Sequence, residues 1–114
     1  MKYALLIYVK PGSLEVLSEE ERKAVSEEYY AISEDERVVG GQQLAPVETS
    51  TTVRVQDGEM LTTDGPFADT KEVFGGFYLL DAENLDAALA VAGRIPAARM
   101  GGSVEVRPIV ERQG

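Results

Sequence analysis

The chain has 114 residues, and 20 acidic against 11 basic side chains give it a net charge of −9. Surfaces that bind nucleic acid or anionic membranes need clustered lysine and arginine, so this composition argues against both kinds of partner. The sequence contains neither cysteine nor histidine, which excludes disulfides, thiolate nucleophiles, imidazole metal sites and serine–histidine triads. Acid–base chemistry would fall to Asp, Glu, Lys or Tyr, and we predict no metal and no cofactor.

The length fits a single domain over residues 1–114. No stretch approaches the roughly 20 apolar residues of a membrane-spanning helix. Since the chain has no cysteine, nothing in it points to an oxidising compartment. We therefore expect a cytoplasmic protein.

The first two predicted elements are a strand and a helix. Residues 3–9 are apolar on both alternating sets, which is typical of a strand that is covered on both faces. Ser18 and Glu21 have the spacing of a capping box at a helix start. The predicted apolar stripe of this helix consists of Val25, Tyr29 and Ile32. Acidic residues between 15 and 36 fit a solvated outer helix face.

A hairpin is predicted in the middle of the chain. Before it, Gly40-Gly41-Gln42 is interpreted as a turn that leads into a weaker strand near Gln42–Pro46. Asp57-Gly58 then follows an alternating segment and is a strong signal for a two-residue hairpin turn. Such a turn pairs Gln56 with Glu59, Val55 with Met60 and Val53 with Thr62.

The last third of the chain contains a strand, a helix and a strand. Gly75-Gly76 opens a strand over residues 77–80, which is again apolar on both sets. Asn84 is a suitable N-cap for a helix whose predicted stripe is Leu85, Ala88, Leu89 and Ala92. The final strand is predicted from Ser103 to about Val110.

The order strand, helix, strand, hairpin, strand, helix, strand favours an α+β fold with two helices on one face of an antiparallel sheet, as in ferredoxin-like folds. Two helices cover one face only, yet the strands at 3–9 and 77–80 are apolar on both. A second copy of the sheet is the simplest cover, because most small oligomers are two-fold dimers. We therefore expect a homodimer that forms a dimeric α/β barrel.

The segment from Asp64 to Glu72, DGPFADTKE, resembles the DGPFAETKE motif that names the DGPF branch of the YCII-related proteins. Residues 75–77, 95–97 and 105–108 also fit this branch, and the similarity extends over about residues 2–110. The resemblance implies a ferredoxin-like fold and a dimeric α/β barrel, without an established function for the branch. YCII-related proteins in the wider sense resemble enzymes with a His–Asp pair. Because this chain lacks histidine, no catalytic role is transferred from that pair.

Asp64 is the first candidate for chemistry, as an acid or base. It precedes Gly65-Pro66 at a strand end, where a tight turn can direct a carboxylate into a cleft, and a position beside Phe67 would raise its pKa. The alternative is an Asx-turn. Lys71 could bind an anionic substrate, or it could be a solvated lysine or an ion-pair partner of the first helix. Asp69 and Glu72 have capping-box spacing, which predicts a short helical turn over 69–73.

Arg99, Tyr8 and Tyr78 are further candidates for substrate binding. Arg99 lies among small residues and could clamp a carboxylate, or it could pair with the acidic helix or across a dimer interface. Tyr8 and Tyr78 fall on predicted strands, where their rings would belong to the core or an interface and their hydroxyls could line a cavity.

Two functional hypotheses follow. The first is a small-molecule-binding protein or acid/base enzyme that acts on a small anionic substrate in a cleft at the dimer interface. The second is a non-catalytic regulatory or protein-interaction module, because an acidic face can dock a basic protein. Some relatives in the resembling branch are encoded beside extracytoplasmic-function sigma factors, which connects the second hypothesis to such a factor.

Overall fold

The computed structural model describes residues 1–66 and 70–112. Over these residues the elements are, in chain order, β1 (Lys2–Val9), α1 (Glu19–Ser33), β2 (Val38–Gln43), β3 (Thr51–Gln56), β4 (Glu59–Asp64), β5 (Val73–Asp81), α2 (Leu85–Ala92) and β6 (Ser103–Pro108). No helix within the two described ranges is long and apolar enough to cross a membrane.

Four strands form the main sheet in the order β2-β5-β1-β6, and all three neighbouring pairs are antiparallel. Both helices pack on one face of this sheet. Leu5 and Leu80 are fully buried in the same core as Ile32 of α1 and Ala88 of α2. This architecture confirms the predicted α+β class and is consistent with a ferredoxin-like fold in which β3 and β4 are inserted between β2 and β5.

Helix α1 begins as the sequence predicts. The Ser18 hydroxyl accepts a hydrogen bond from the Glu21 backbone N–H at 3.1 Å, and the Glu21 carboxylate accepts one from the Ser18 N–H at 3.0 Å. Hydrogen bonding from Ser18, first from its backbone N–H and then from its side chain, lowers the pKa of the exposed Glu21 carboxyl. Val25 and Ile32 of the predicted stripe are buried.

Helix α2 has the predicted N-cap but a different buried face. The Asn84 side chain accepts a hydrogen bond from the Ala87 N–H at 2.9 Å. The buried residues are Ala88, Val91 and Ala92, whereas Leu85 and Leu89 of the predicted stripe are exposed. Two stripes with helical spacing overlap in this segment. The stripe of Ala88, Val91 and Ala92, which continues to the fully buried Ile95, faces the sheet.

Strand β2 corrects the prediction of a turn at Gly40-Gly41-Gln42. These residues pair with β5, and the strand begins at Val38 and ends at Gln43 rather than running from 42 to 46. Gly41 has φ 151°, and a Cβ there would lie 2.5 Å from the Phe77 carbonyl oxygen. The glycine is needed because the two backbones approach closely, so its role here is pairing and not turning.

Strands β3 and β4 form the predicted hairpin in the predicted register, including the pairs Val55–Met60 and Val53–Thr62. Asp57 and Gly58, at φ 52° and 80°, make the tight turn. The hairpin is a separate two-stranded sheet and does not join the main one. We call residues Thr51–Asp64 the arm. It leaves the main sheet at the edge where β2 ends and β5 begins.

The face of the main sheet away from the helices, here called the open face, is apolar at its centre. Tyr3, Leu5 and Ile7 alternate toward the helices and are buried, whereas Leu6 and Tyr8 point the other way and are partly exposed. Register places Phe77 beside Leu6 on the open face. The central residues of the open face are Ala4, Leu6, Tyr8, Phe77 and Leu79, with Phe74 beside Tyr8. They are flanked by Gly40 and Gln42 of β2 on one side and by Glu105 and Arg107 of β6 on the other. Strand β6 ends at Pro108, two residues earlier than predicted.

Candidate functional site

A groove of about 560 Å³ lies at the end of the main sheet where strand β1 ends and strand β5 begins. In an antiparallel pair the end of one strand lies beside the start of the other, so residues that are distant in sequence meet there. The lining residues are Lys10, Pro11, Thr70, Lys71, Glu72 and Gly101. Lys71 is the one sequence-predicted site residue among them.

Backbone geometry places Lys10 in the groove. Its carbonyl accepts a hydrogen bond from the Ser13 N–H at 3.1 Å, in the turn that follows β1. A Cβ on Gly101 would lie 2.8 Å from Cδ of Lys10, so the bare backbone of Gly101, at φ 86°, leaves room for the lysine stem. Gly102 lies still closer to β1, since a Cβ there would meet the Tyr8 carbonyl oxygen at 2.2 Å. The loop after α2 therefore forms one wall of the groove.

The opposite wall is the segment before β5. The Thr70 hydroxyl donates a hydrogen bond to the Glu72 carbonyl oxygen, which folds residues 70–72 into a bend. The predicted helical turn over 69–73 is wrong in its described part, because residues 71 and 72 are bends and Val73 already belongs to β5. Asp69 lies outside the described residues.

Charge in the groove differs from charge over the chain as a whole. Two lysines and one glutamate line it, in a chain whose net charge is −9. Lys71 is exposed, and Glu72 is half-buried. The ammonium groups of Lys10 and Lys71 can together attract and hold a small anion, because Lys presents a compact charge with three donors.

Asp64 lies at the end of β4, at the base of the arm, where it pairs with Thr51. It is exposed. The neighbouring Gly65 N–H donates to the Ser50 carbonyl at 2.7 Å, which closes the arm base. Phe67, beside which we expected a half-buried carboxylate, lies outside the described residues, and the role of Asp64 stays a prediction.

Arg99 points toward α1. It ends a short 3₁₀ helix, Pro96–Arg99, and its Nη2 donates to Oε2 of Glu28 at 2.6 Å. The sequence left open whether Arg99 binds a carboxylate ligand, pairs with the acidic helix or pairs across a dimer interface. The structure shows the ion pair with the acidic helix α1. Arg99 is not among the residues that line the groove.

The two tyrosines lie on opposite faces of the sheet. Tyr8 is on the open face, with its ring centroid 5.5 Å from that of Phe74. Tyr78 pairs with Leu5 on the helix face, and its hydroxyl donates to the Tyr29 carbonyl at 3.0 Å. Burial raises the pKa of the Tyr78 phenol. No single cleft can contain both side chains.

The sequence analysis missed Lys10 as a site residue. A signal was present, because Lys10 directly follows an apolar strand and Lys71 shortly precedes another. If the two strands are antiparallel neighbours, both lysines lie at one sheet edge. Glu72 was interpreted as a capping residue, although it is the carboxylate that lines the groove.

A cluster of charged side chains lies at the opposite end of the sheet, in the connection between α1 and β2. The Asp35 carboxylate accepts hydrogen bonds from the Arg37 backbone N–H at 2.9 Å and from Arg37 Nη2 at 2.8 Å, and Arg94 Nη1 lies 3.2 Å from it. These partners, Arg37 first, hold the pKa of Asp35 well below its usual range. The geometry fits a structural clamp that closes the α1–β2 connection.

The outer acids of α1, including Glu19, Glu20 and Glu27, are exposed. This agrees with the predicted solvated face. The same surface is accessible to a basic partner, so the hypothesis of a regulatory module stays open.

Comparison with known proteins identifies the family. The model of the YCII-related domain matches residues 1–113. The chain belongs to the YCII-related family. It is 37% identical over 115 residues to an uncharacterized protein of Rhizobium meliloti (strain 1021), covering 96% of this chain and 92% of the relative.

A solved structure shares the fold. It is the 5-chloro-2-hydroxyhydroquinone dehydrochlorinase of Burkholderia phenoliruptrix AC1100, in complex with 2,5-dihydroxybenzoquinone. The TM-score is 0.56 at 19% identity, over 98% of this chain and 96% of that one. This YCII-related chain therefore has the same overall fold as that protein.

Proposed function

We propose that this YCII-related protein binds a small anionic molecule in the groove between Lys10 and Lys71, as part of a homodimer. The observation that carries the proposal is that these two lysines, far apart in sequence, line one open groove of about 560 Å³ at the end of the sheet. That volume lies within the range of small-molecule sites. Two lysines beside one glutamate give the groove a local positive excess in a chain of net charge −9, which favours a negatively charged ligand.

The homodimer is proposed from the open face. Leu6, Phe77 and Leu79 are half-buried in the single chain, although they lie at the centre of the sheet. Packing two such faces together would remove them from water and build the dimeric α/β barrel that the DGPFADTKE segment suggests. From the DGPFADTKE segment we also propose that the chain belongs to the DGPF branch of the family.

Two carboxylates are proposed for acid–base chemistry. Asp64 is the acid/base candidate from the sequence, and Glu72 is the carboxylate in the groove. The dehydrochlorinase of similar fold acts on a hydroxylated aromatic ring, which supports a small acidic molecule as the ligand class. We propose the same broad class here and no particular substrate.

Titration calorimetry with three anionic probes, 2,5-dihydroxybenzoquinone, benzoate and succinate, tests the proposal. The double variant Lys10→Gln/Lys71→Gln keeps both side-chain stems and removes both charges. We expect at least one probe to bind the native chain, with affinity about tenfold lower in the double variant. Binding should also weaken as salt is raised, because the groove is open to solvent.

Lys23→Gln is the matched control, since Lys23 is an exposed lysine of α1 outside the groove. Its affinity should equal that of the native chain. If no probe distinguishes the double variant from the native chain and the control, the groove is not an anion site and the proposal fails. Thermal unfolding of the three proteins verifies that all are folded.

A further inference from the structure

The arm carries an apolar surface that residues 1–66 and 70–112 of its own chain leave exposed. Val53, Val55 and Met60 lie on one face of the hairpin, with exposed fractions of 56%, 72% and 69%. The other face is more polar: it carries Arg54, Gln56, Glu59 and two threonines, with Leu61 as its one large apolar side chain. Alternation of this kind is typical of a strand pair with one face against a partner.

A hairpin of two strands is marginally stable in water by itself. Every residue of β4 is exposed, and so is every residue of β3 except Thr52. The chain is also extended, with a radius of gyration of 16.2 Å, against about 13 Å for a compact domain of this length. The described residues of the same chain thus cover little of the hairpin, and a partner surface would stabilise it.

We propose that the apolar face of the arm packs against a second copy of this chain. This inference rests on the homodimer of the proposed function. A stable two-chain interface buries about 800 Å² on each partner. From strand spacings, the open face has a flat footprint of roughly 300 Å² and the arm adds roughly 200 Å². The open face alone is too small, whereas both surfaces together approach the required area once side-chain relief is included.

A two-fold dimer can cover both surfaces at once, because each chain supplies the same two patches to the other. The molecule is a slab of 47 × 45 × 19 Å, and the arm leaves the sheet at one edge. When two slabs stack on their open faces, a projecting arm can reach the other chain. A second copy thus explains the arm and the open face without a further partner.

Thiol labelling tests the contact, because the native chain has no cysteine and a single introduced thiol is the only one present. Val55→Cys places a thiol on the apolar face of the arm, and Gln56→Cys places one on the opposite face as a matched control. At high protein concentration we expect the Val55→Cys thiol to react with a disulfide reagent about tenfold more slowly than the Gln56→Cys thiol, because burial excludes the reagent. Dilution below the dimer dissociation constant should abolish the difference.

Equal reaction of the two thiols at every concentration would overturn the proposal. If the Val55→Cys protein is a dimer by sedimentation but its thiol reacts rapidly, the arm contact fails and the homodimer of the proposed function stands. If the native chain is a monomer, both fail. Val55→Asp gives a second measurement, since it should raise the dimer dissociation constant about tenfold or more while circular dichroism stays native.

Discussion

Arg99 and Glu28 form an ion pair, with Nη2 of the arginine 2.6 Å from Oε2 of the glutamate. The pair joins the short 3₁₀ helix after α2 to the acidic helix α1. The guanidinium of Arg99, which the sequence suggested could bind a substrate carboxylate, is therefore paired with Glu28. Both side chains are substantially exposed, so solvent screens the interaction.

We predict that Arg99→Gln leaves anion binding in the groove within twofold of the native value, because Arg99 does not line it. The free energy of unfolding should fall by about 0.5 kcal/mol, as for exposed ion pairs. Calorimetry and denaturant unfolding measure the two effects. A large loss of anion affinity would return Arg99 to the binding site.

Gly102→Ala should destabilise the protein by about 2–3 kcal/mol through overpacking. A Cβ there would lie 2.2 Å from the Tyr8 carbonyl oxygen and 3.1 Å from that of Ala97. Both obstacles are backbone atoms that cannot rotate away. Urea unfolding gives the value.

Gly40→Ala is the matched control for this substitution. Its Cβ would meet only the Leu79 side chain, at 3.4 Å or more. We expect nearly native stability for it. Equal stability of the two variants would contradict the close approach of the 101–102 loop to β1.

Asp35→Asn should lower stability at neutral pH by about 1 kcal/mol, because the amide carries no charge for Arg37 and Arg94. The folded state holds the pKa of Asp35 well below its usual range. The carboxylate therefore stabilises the fold above about pH 4, where the unfolded chain is also ionised, and this contribution is lost as the pH falls further.

Unfolding measured between pH 7 and pH 2 tests this. The native chain should lose more stability than Asp35→Asn below about pH 4. Glu83→Gln, at an exposed residue before α2, serves as the control and should follow the native curve. Parallel curves for all three proteins would show that Asp35 contributes nothing to acid stability.

Phe77→Lys should weaken the proposed dimer. Phe77 lies on the open face beside Leu6, and burial of such a ring contributes about 1.5–3 kcal/mol. The dimer dissociation constant should therefore rise at least about tenfold. Leu89→Lys, at an exposed apolar residue of α2, is the control and should leave self-association unchanged.

Local signals in the sequence predicted much of this fold. The Ser18–Glu21 capping box, the Asp57-Gly58 turn and the Asn84 cap each depend on a few neighbouring residues, and each is present in the structure. Such signals work because the hydrogen bonds that they describe close within a few residues.

Features that depend on tertiary contacts were not predictable in the same way. Two glycines in a row at 40–41 suggest a turn, and only the approach of β5 shows that they pair in a strand. The α2 segment has two possible stripes, and packing against the sheet selects the one that includes Val91. The alternating pattern of the hairpin is the same whether or not it joins the main sheet, so the sequence did not indicate that the arm is separate.

The candidate site was predictable in part for the same reason. Lys71 was found because it stands in a polar motif, whereas its neighbour in the groove, Lys10, is 61 positions away in the chain. Their proximity depends on the antiparallel pairing of β1 with β5. Sequence patterns suggest that pairing only as one of several topologies.

The central claim is that the open face is covered by a second chain. Sedimentation equilibrium of the native protein at micromolar concentration tests it most directly. We predict a particle with the mass of two 12.4 kDa chains. A single 12.4 kDa particle, well behaved in solution with Leu6 and Phe77 open to water, would contradict it.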